Sequence, residues 1–281
     1  MVKVGCHVSI AGSIDRAVVR AEERGCDTFQ IFTSNPRGWK AKPLEDGPVQ
    51  RFREALEASG MGPAVAHMPY LPNLASPSPE LYEKSCEVLR RELERCEALR
   101  IPYLVTHLGS HLGEGKKAGL ERLAAAVSGA LASAESETML LLENTAGTKN
   151  SVGGSFEDIS TIFEMAEDDS RLGICLDTCH AFAAGYDLRN ATTVSETIKV
   201  FDSILGLKRL RVIHLNDSKG ELGCRRDRHE HIGLGYIGND GIRAVISHPR
   251  LRNLPFILET PSDSRRDDAG NIGVVRELAG E

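Results

Sequence analysis

The sequence predicts a (β/α)8 barrel, and three observations carry that prediction. Eight strand-like apolar runs recur along the 281 residues. Most are continuous stretches rather than alternating ones, as strands buried on both faces are. Helical patterns fall between the runs, and strands alternating with helices at this length point to a parallel barrel. An open doubly wound sheet is the competing architecture. No linker or low-complexity tract interrupts the rhythm, so residues 1–281 read as one domain.

The elements follow in order. Run one, 4–8 (VGCHV), precedes a helical pattern over 13–25, which starts at Ser13 and stops at Gly25, residue types suited to helix ends. Run two covers 27–32 (DTFQIF) and run three 63–67 (PAVAH). A helix over 79–100 carries apolar positions 81, 89, 93, 96 and 99, one helical stripe. Runs four and five are 103–107 (YLVTH) and 139–143 (MLLLE). Ser155 with Asp158 fits a capping box ahead of run six, 172–177 (LGICLD). Thr193 with Glu196 fits another ahead of run seven, 211–215 (RVIHL), and run eight is 255–259 (PFILE).

Composition narrows the class. With 41% hydrophobic and 26% charged residues the chain has the balance of a soluble globular protein. No apolar run approaches the ~18 residues of a membrane span, and MVKVGCHVS lacks the features of a signal peptide. Seven cysteines, an odd number without a CxxC pair, argue against a disulfide framework or a thiolate zinc site. They fit a reducing cytoplasm. The formal charge of −6 counts at first sight against a nucleic-acid partner.

In such a barrel, functional groups sit where strands end at the C-terminal face. Run three ends at His67, run four at His107, run five at Glu143 and run six at Asp177, with His180 behind it. Run seven holds His214, with Asp217 three residues on, and run eight ends at Glu259. One such residue would be ordinary, but six consecutive strand ends deliver a His, Asp or Glu to one rim. The segment DRHEH adds Asp227 and His229, which point the same way on an extended backbone. Four carboxylates (Glu143, Asp177, Asp227, Glu259) on one rim would repel one another unless a cation neutralised them. Imidazole with carboxylate and no thiolate favours zinc, or else manganese or iron. Nine donors are too many for one tetrahedral ion and comfortable for three, with Glu143 or water bridging two. Three Zn²⁺ would bring +6 against the formal −6, and a phosphate would be welcome on such a rim.

Six segments carry a resemblance: GCHVSIAGS at 5–13, FTSNPRGW at 32–39, ENTAG at 143–147, DTCHAFAAGYD at 177–187, HLNDSK at 214–219 and DRHEHIG at 227–233. Together they resemble the endonuclease IV family of abasic-site endonucleases over essentially the whole chain. The resemblance implies a three-zinc (β/α)8 barrel that needs no magnesium. It implies one zinc on His67, His107 and Glu143, and a second on Glu143, Asp177, His214 and Glu259. A third would sit on His180, Asp227 and His229. It further implies that a hydroxide held at the Glu143-bridged pair attacks the phosphate 5′ to an abasic site in duplex DNA. The products would be a 3′-hydroxyl and a 5′-deoxyribose phosphate, as in base excision repair, with Glu259 a second catalytic candidate that orients the nucleophile. Arg37, Tyr70, Leu71 and Arg228 are the implied DNA contacts, Tyr70 and Leu71 as a wedge and Arg228 at a phosphate. Met68, Pro36 and Gly38 depart from the residues the family pattern leads one to expect. The reading is a cytoplasmic, monomeric enzyme with no membrane association.

Other signals carry less. GLGYIG at 233–238 fits GxGxxG but trails the metal segment instead of opening a βαβ unit, so it is taken as a loop and no nucleotide cofactor is expected. His7 is a candidate support for the metal ligands. His111, His231 and His248 read as surface or loop residues, with His231 a rival ligand. The basic clusters at 90–91 and 208–211 and the RRDD segment at 265–268 read as solvated faces. Two other functions share these residue types. A sugar isomerase or epimerase would need fewer metals, and a metal-stabilised DNA-binding scaffold would bind without turnover.

Overall fold

The computed structural model describes residues 1–166 and 170–281. Eight strands form one parallel sheet: β1 (Val4–Cys6), β2 (Phe29–Phe32), β3 (Ala64–His67), β4 (Tyr103–Thr106), β5 (Met139–Glu143), β6 (Leu172–Asp177), β7 (Leu210–His214) and β10 (Phe256–Leu258). Each pairs with its sequence neighbour, and β10 lies between β7 and β1. The edges of β1 and β2 meet through a parallel His7–Gln30 bridge, so the sheet curls into the expected barrel rather than an open sheet. A two-stranded antiparallel ribbon, β8 (Asp217–Ser218) and β9 (His229–Glu230), stands outside it.

Helices cover the outside, and local chemistry sets their ends. Helix α1 (Arg16–Glu23) is shorter than the 13–25 expectation: Asp15 rather than Ser13 precedes its first turn. The chain leaves it through Gly25, whose φ of +71° suits a residue without Cβ. Helix α2 spans Asp46–Ser59. Helix α3 (Pro79–Leu99) is capped by the Ser78 hydroxyl, and it buries Leu89, Leu93, Cys96 and Leu99 of the expected stripe. After α4 (Lys116–Ser133), helix α5 (Phe156–Met165) has the expected Ser155 cap. The short helix α6 (Thr178–Ala184) precedes α7 (Ala191–Ile204). In α7 the capping box lies three residues earlier than the sequence suggested: Asn190 is the cap and Thr193 answers it, because Asn190 accepts from the Thr192 and Thr193 amides. Helices α8 (Gly238–Ser247) and α9 (Asp268–Ala279) complete the ring. Among the described residues no helix is long and apolar enough to cross a membrane.

The barrel interior explains why polar residues end the strands. Val65, Val105, Leu141, Cys175, Val212 and Ile257 form a separate apolar cluster inside the ring. Each lies two residues before one of His67, His107, Glu143, Asp177, His214 and Glu259. Successive strand side chains alternate between faces, so the residue two positions on also points inward. A hydrophobic plug therefore sits directly beneath a floor of imidazoles and carboxylates.

Candidate metal centre

The nine predicted donors come together at the C-terminal mouth. Three groups bring ligand atoms within 4.8 Å of one another: His67, His107 and Glu143; Glu143, Asp177, His214 and Glu259; and His180, Asp227 and His229. Glu143 belongs to two groups because its oxygens face different ways. Its Oε2 lies 3.3 Å from both His67 Nε2 and His107 Nε2. Its Oε1 lies 3.2 Å from His214 Nδ1 and 3.3 Å from His180 Nδ1. His214 Nδ1 also lies 3.2 Å from Glu259 Oε2. In the third group, Asp227 Oδ1 is 3.2 Å from His180 Nε2 and 3.4 Å from His229 Nε2.

Four of the five imidazoles have one nitrogen tied to an outward partner and the other turned inward. His67 Nδ1 meets the Met68 carbonyl at 2.7 Å, and His180 Nδ1 the Asn144 carbonyl at 3.0 Å. His229 Nδ1 meets the Glu259 carbonyl at 3.0 Å. His214 is turned the other way round: its Nε2 donates to Gln30 Oε1 at 2.9 Å, leaving Nδ1 for the centre. This tethering fixes the tautomer and aim of a metal-binding imidazole. His180 Nε2 and His229 Nε2 are buried without a hydrogen-bond partner, so the third group holds two orphaned donor atoms beside a carboxylate. A divalent cation fits this chemistry: the donors are hard to intermediate, and the orphaned nitrogens face one another across Asp227.

Electrostatics point the same way. Burial would raise the Glu143 carboxyl, yet His107 and His214 hold it well below the carboxylate range. Burial would lower His180, but Asp177, Asp227 and Glu143 hold it well above the ordinary imidazole value. His214 is raised in the same way, against burial, by Cys175, Glu259 and Glu143. The mouth thus demands positive charge, from protons if not from a metal.

Asp177 has a specific geometry. It ends β6 and caps α6, its Oδ1 accepting from the His180 amide at 2.7 Å. Its Oδ2 accepts from Asn216 Nδ2 at 2.7 Å and lies 3.6 Å from His229 Nε2. The three-residue spacing of Asp177 and His180 is therefore a helix cap: it turns the aspartate to the second group and the histidine to the third. Cys179 also approaches Asp177 and His229, making a fourth candidate grouping inside this centre.

Several supporting residues escaped the sequence reading. Gln30 is fully buried and bridges two donors, with Nε2 donating to Glu259 Oε1 at 2.7 Å and Oε1 accepting from His214. Its Nε2 also lies 3.1 Å from His7 Nδ1. Loss of hydration pushes His7 down to about 4, which keeps that imidazole neutral near pH 7. So His7 supports the centre through Gln30. Asn144 Oδ1 accepts from the Asp177 amide at 2.7 Å, and Asn216 Oδ1 accepts from the Glu259 amide at 2.8 Å. Gln30 had a signal: it is the one polar residue inside the run FQIF.

Of the predicted DNA contacts, Arg37 and Arg228 are exposed, Tyr70 is 57% exposed and Leu71 38%. Tyr70 stands edge-on to Phe32, with ring centroids 5.0 Å apart, and its amide donates to the Pro36 carbonyl at 3.1 Å. Tyr70 and Arg228 line a cavity of about 560 Å³ with His67, His107, His180 and Glu259. Arg37 and Leu71 do not line it. Two expectations need correction. His231 is neither a surface residue nor a rival ligand: it is fully buried and turns away to Asp263 Oδ1 and Asn271 Nδ2, at 3.1 and 3.0 Å. The RRDD segment is not merely solvated: Arg265 pairs with Glu230 and Asp263, and Asp267 caps α9. His111, in the loop after β4, is also buried, its Nδ1 accepting from the Gly113 and Gly115 amides.

A parallel barrel with this mouth is of the xylose isomerase-like class, and the family model described as a xylose isomerase-like TIM barrel matches residues 18–278. A probable endonuclease 4 of Methanoculleus marisnigri is 62% identical over 281 residues, covering the whole of both chains. Another of Nitrosopumilus maritimus is 50% identical, covering 99% of this chain and 100% of its own. Endonuclease IV from Thermus thermophilus superposes with a TM-score of 0.88 at 40% identity, covering 99% of each chain. The chain belongs to the endonuclease IV family. A D-tagatose 3-epimerase-like protein superposes at a TM-score of 0.74 with 20% identity, a likeness of fold alone.

Proposed function

We propose that this nuclease hydrolyses the phosphodiester 5′ to abasic sites in duplex DNA, leaving a 3′-hydroxyl and a 5′-deoxyribose phosphate, in base excision repair. The observation that carries this reading is the grouping of nine donors into three sets, two of them sharing Glu143. Three zinc ions suit that set, since imidazoles and carboxylates are mixed and each group is small enough for low coordination. When bound, closely spaced divalent cations supply an activated water and neutralise charge on the attacked phosphate.

The chain's own residues do the rest. Glu143 holds two groups in fixed relation through opposite oxygens, and Glu259, anchored by Gln30, faces the same space. Arg228 offers a guanidinium to a phosphate at the cavity wall. Tyr70 and Leu71, exposed side by side, provide an aromatic face and an apolar edge for the gap left by a missing base. Arg37, exposed on the loop after β2, offers a further guanidinium to the DNA backbone. In this reading the chain is a single catalytic domain, monomeric, working in the cytoplasm, with its seven cysteines as free thiols.

The test is cleavage of a duplex bearing one tetrahydrofuran residue, with zinc per chain counted before and after chelation. Incision 5′ to the lesion by protein holding three zinc ions, lost on chelation and restored by zinc, is expected. An uncut duplex with metal-loaded protein would overturn the reading, and about one ion per chain would favour isomerase-type chemistry.

A further inference from the structure

Six of the nine donors stand on or beside barrel strand ends, and His180 follows on α6. Asp227 and His229 do not: they lie on the excursion that leaves after β7 and returns along the ribbon. What holds that excursion is visible at Asp217. Adjacent residues on an extended strand point to opposite sides. Asn216 accordingly reaches Asp177 and receives the Glu259 amide, whereas Asp217 turns away and is fully buried.

The Asp217 carboxylate has no cationic partner among the described residues. Its acceptors are filled by the backbone of GLGYIG, the segment that resembles a nucleotide loop. Oδ2 receives the amides of Gly233 and Gly235, each at 3.0 Å, and Oδ1 receives that of Ile237 at 2.9 Å. The Gly238 amide lies 3.2 Å from Oδ2, and the Ser218 amide 2.8 Å from Oδ1. This is an anion nest whose anion is built into the chain. It fits closely: a Cβ on Gly235 would lie 2.4 Å from the Ser218 carbonyl oxygen and 2.5 Å from Asp217 Oδ1. The same strand is gripped on both edges. On one, Ser218 pairs with His229 and the Lys219 amide reaches the Arg228 carbonyl at 2.9 Å. On the other, the Tyr236 amide reaches the Ser218 carbonyl at 2.8 Å.

We infer that Asp217 is the positioning residue of the third metal group: by gathering residues 233–238 around its carboxylate, it closes the excursion and sets Asp227 and His229 opposite His180. The other two groups do not depend on it, because their donors stand on the barrel. The inference deepens the proposed function and rests on it for the identity of the bound ions.

The experiment uses the full-length protein and the variants D217N and G235A. D217N keeps the side-chain size but turns an N–H₂ toward amides that need an acceptor. Apo protein is followed by amide hydrogen exchange, and zinc-loaded protein by metal content after dialysis against a chelator. The expected result is faster exchange at 227–231 with the barrel strands unchanged, and two zinc ions retained where wild type keeps three. Affinity for the ion that is lost should fall about 10- to 100-fold, the usual effect of removing a group that orients metal ligands. Loss of one ion with two kept is a pattern that general destabilisation does not give. Wild-type exchange and zinc content in both variants would overturn the role of Asp217, as would simultaneous loss of all ions or global unfolding in both. A wild-type protein holding fewer than three ions counts against the proposed centre instead, and the exchange measurement on apo protein still decides for or against Asp217.

Discussion

Replacing Gln30 by leucine removes an amide that no sequence motif marks. The side chain is fully buried, so nothing from solvent replaces it. Leucine has similar bulk, so the packing loss is small and the polar loss dominates. Three contacts vanish: the 2.7 Å bond to Glu259, the 2.9 Å bond from His214 Nε2 and the 3.1 Å contact with His7 Nδ1. A buried donor left without an acceptor costs about 1–3 kcal/mol. His214 can avoid that cost by shifting its proton to Nδ1, but Nδ1 is the nitrogen that faces Glu143 and Glu259. Either way the second metal group loses its prepared donor. Zinc affinity at that group should fall about 10- to 100-fold, the usual range for removing such a partner. At ~1.4 kcal/mol per tenfold, that range matches the cost of one unsatisfied donor. Competition against a chromophoric chelator measures the affinity, and thermal melting of the apo protein separates packing from metal binding. Wild-type affinity and cleavage rate in Q30L would refute the reasoning, as would a lowered apo melting temperature with unchanged affinity.

Other expectations follow from the same geometry. E143Q removes the carboxylate shared by two groups, and cleavage should fall at least about a thousandfold, given that metal stabilisation of transition-state charge is worth several kcal/mol; steady-state rates on a lesion duplex check this. Y70A should raise KM for a lesion duplex more than it lowers kcat, by roughly 5- to 150-fold if the exposed ring stacks on a base, which is worth about 1–3 kcal/mol. Equal KM values would remove Tyr70 from the contact surface. Only Cys86 and Cys224 are partly exposed, while the other five cysteines are buried. Burial also pushes the Cys96 and Cys175 thiols up. Native protein should therefore react with iodoacetamide at two cysteines and denatured protein at seven, as mass spectrometry would show.

How much of this was readable in the sequence depends on which physical rule places each residue. The six strand-end donors were readable because one rule places them all: inward residues recur every second position, so an apolar residue that fills the barrel is followed two places later by one at its mouth. Val65 with His67 and Leu141 with Glu143 show it. Asp227 and His229 were readable from the same alternation, but it misleads one step further on. His231 continues the spacing, yet β9 ends at Glu230, and the chain turns His231 toward Asp263 and Asn271. Alternation holds only while the strand lasts, and a two-residue strand gives no notice of where it stops.

The roles of Gln30 and Asp217 were hidden for a different reason. Each acts through partners far away in sequence: Glu259 lies 229 residues from Gln30, and Ile237 lies 20 from Asp217. Composition cannot separate Asp217 from Asp177. Both are aspartates at a strand exit, three positions from a histidine donor, and both are fully buried. The difference is the side of the strand: Asp177 continues the inward row that begins at Cys175, while Asp217 faces the glycine-rich segment. That assignment also accounts for GLGYIG. Its glycines bring backbone amides to an anion, as in a phosphate loop, but here the anion is a carboxylate of the chain itself. A motif of this kind therefore specifies a backbone shape and a charge. Only the fold says whether the charge comes from a ligand or from within.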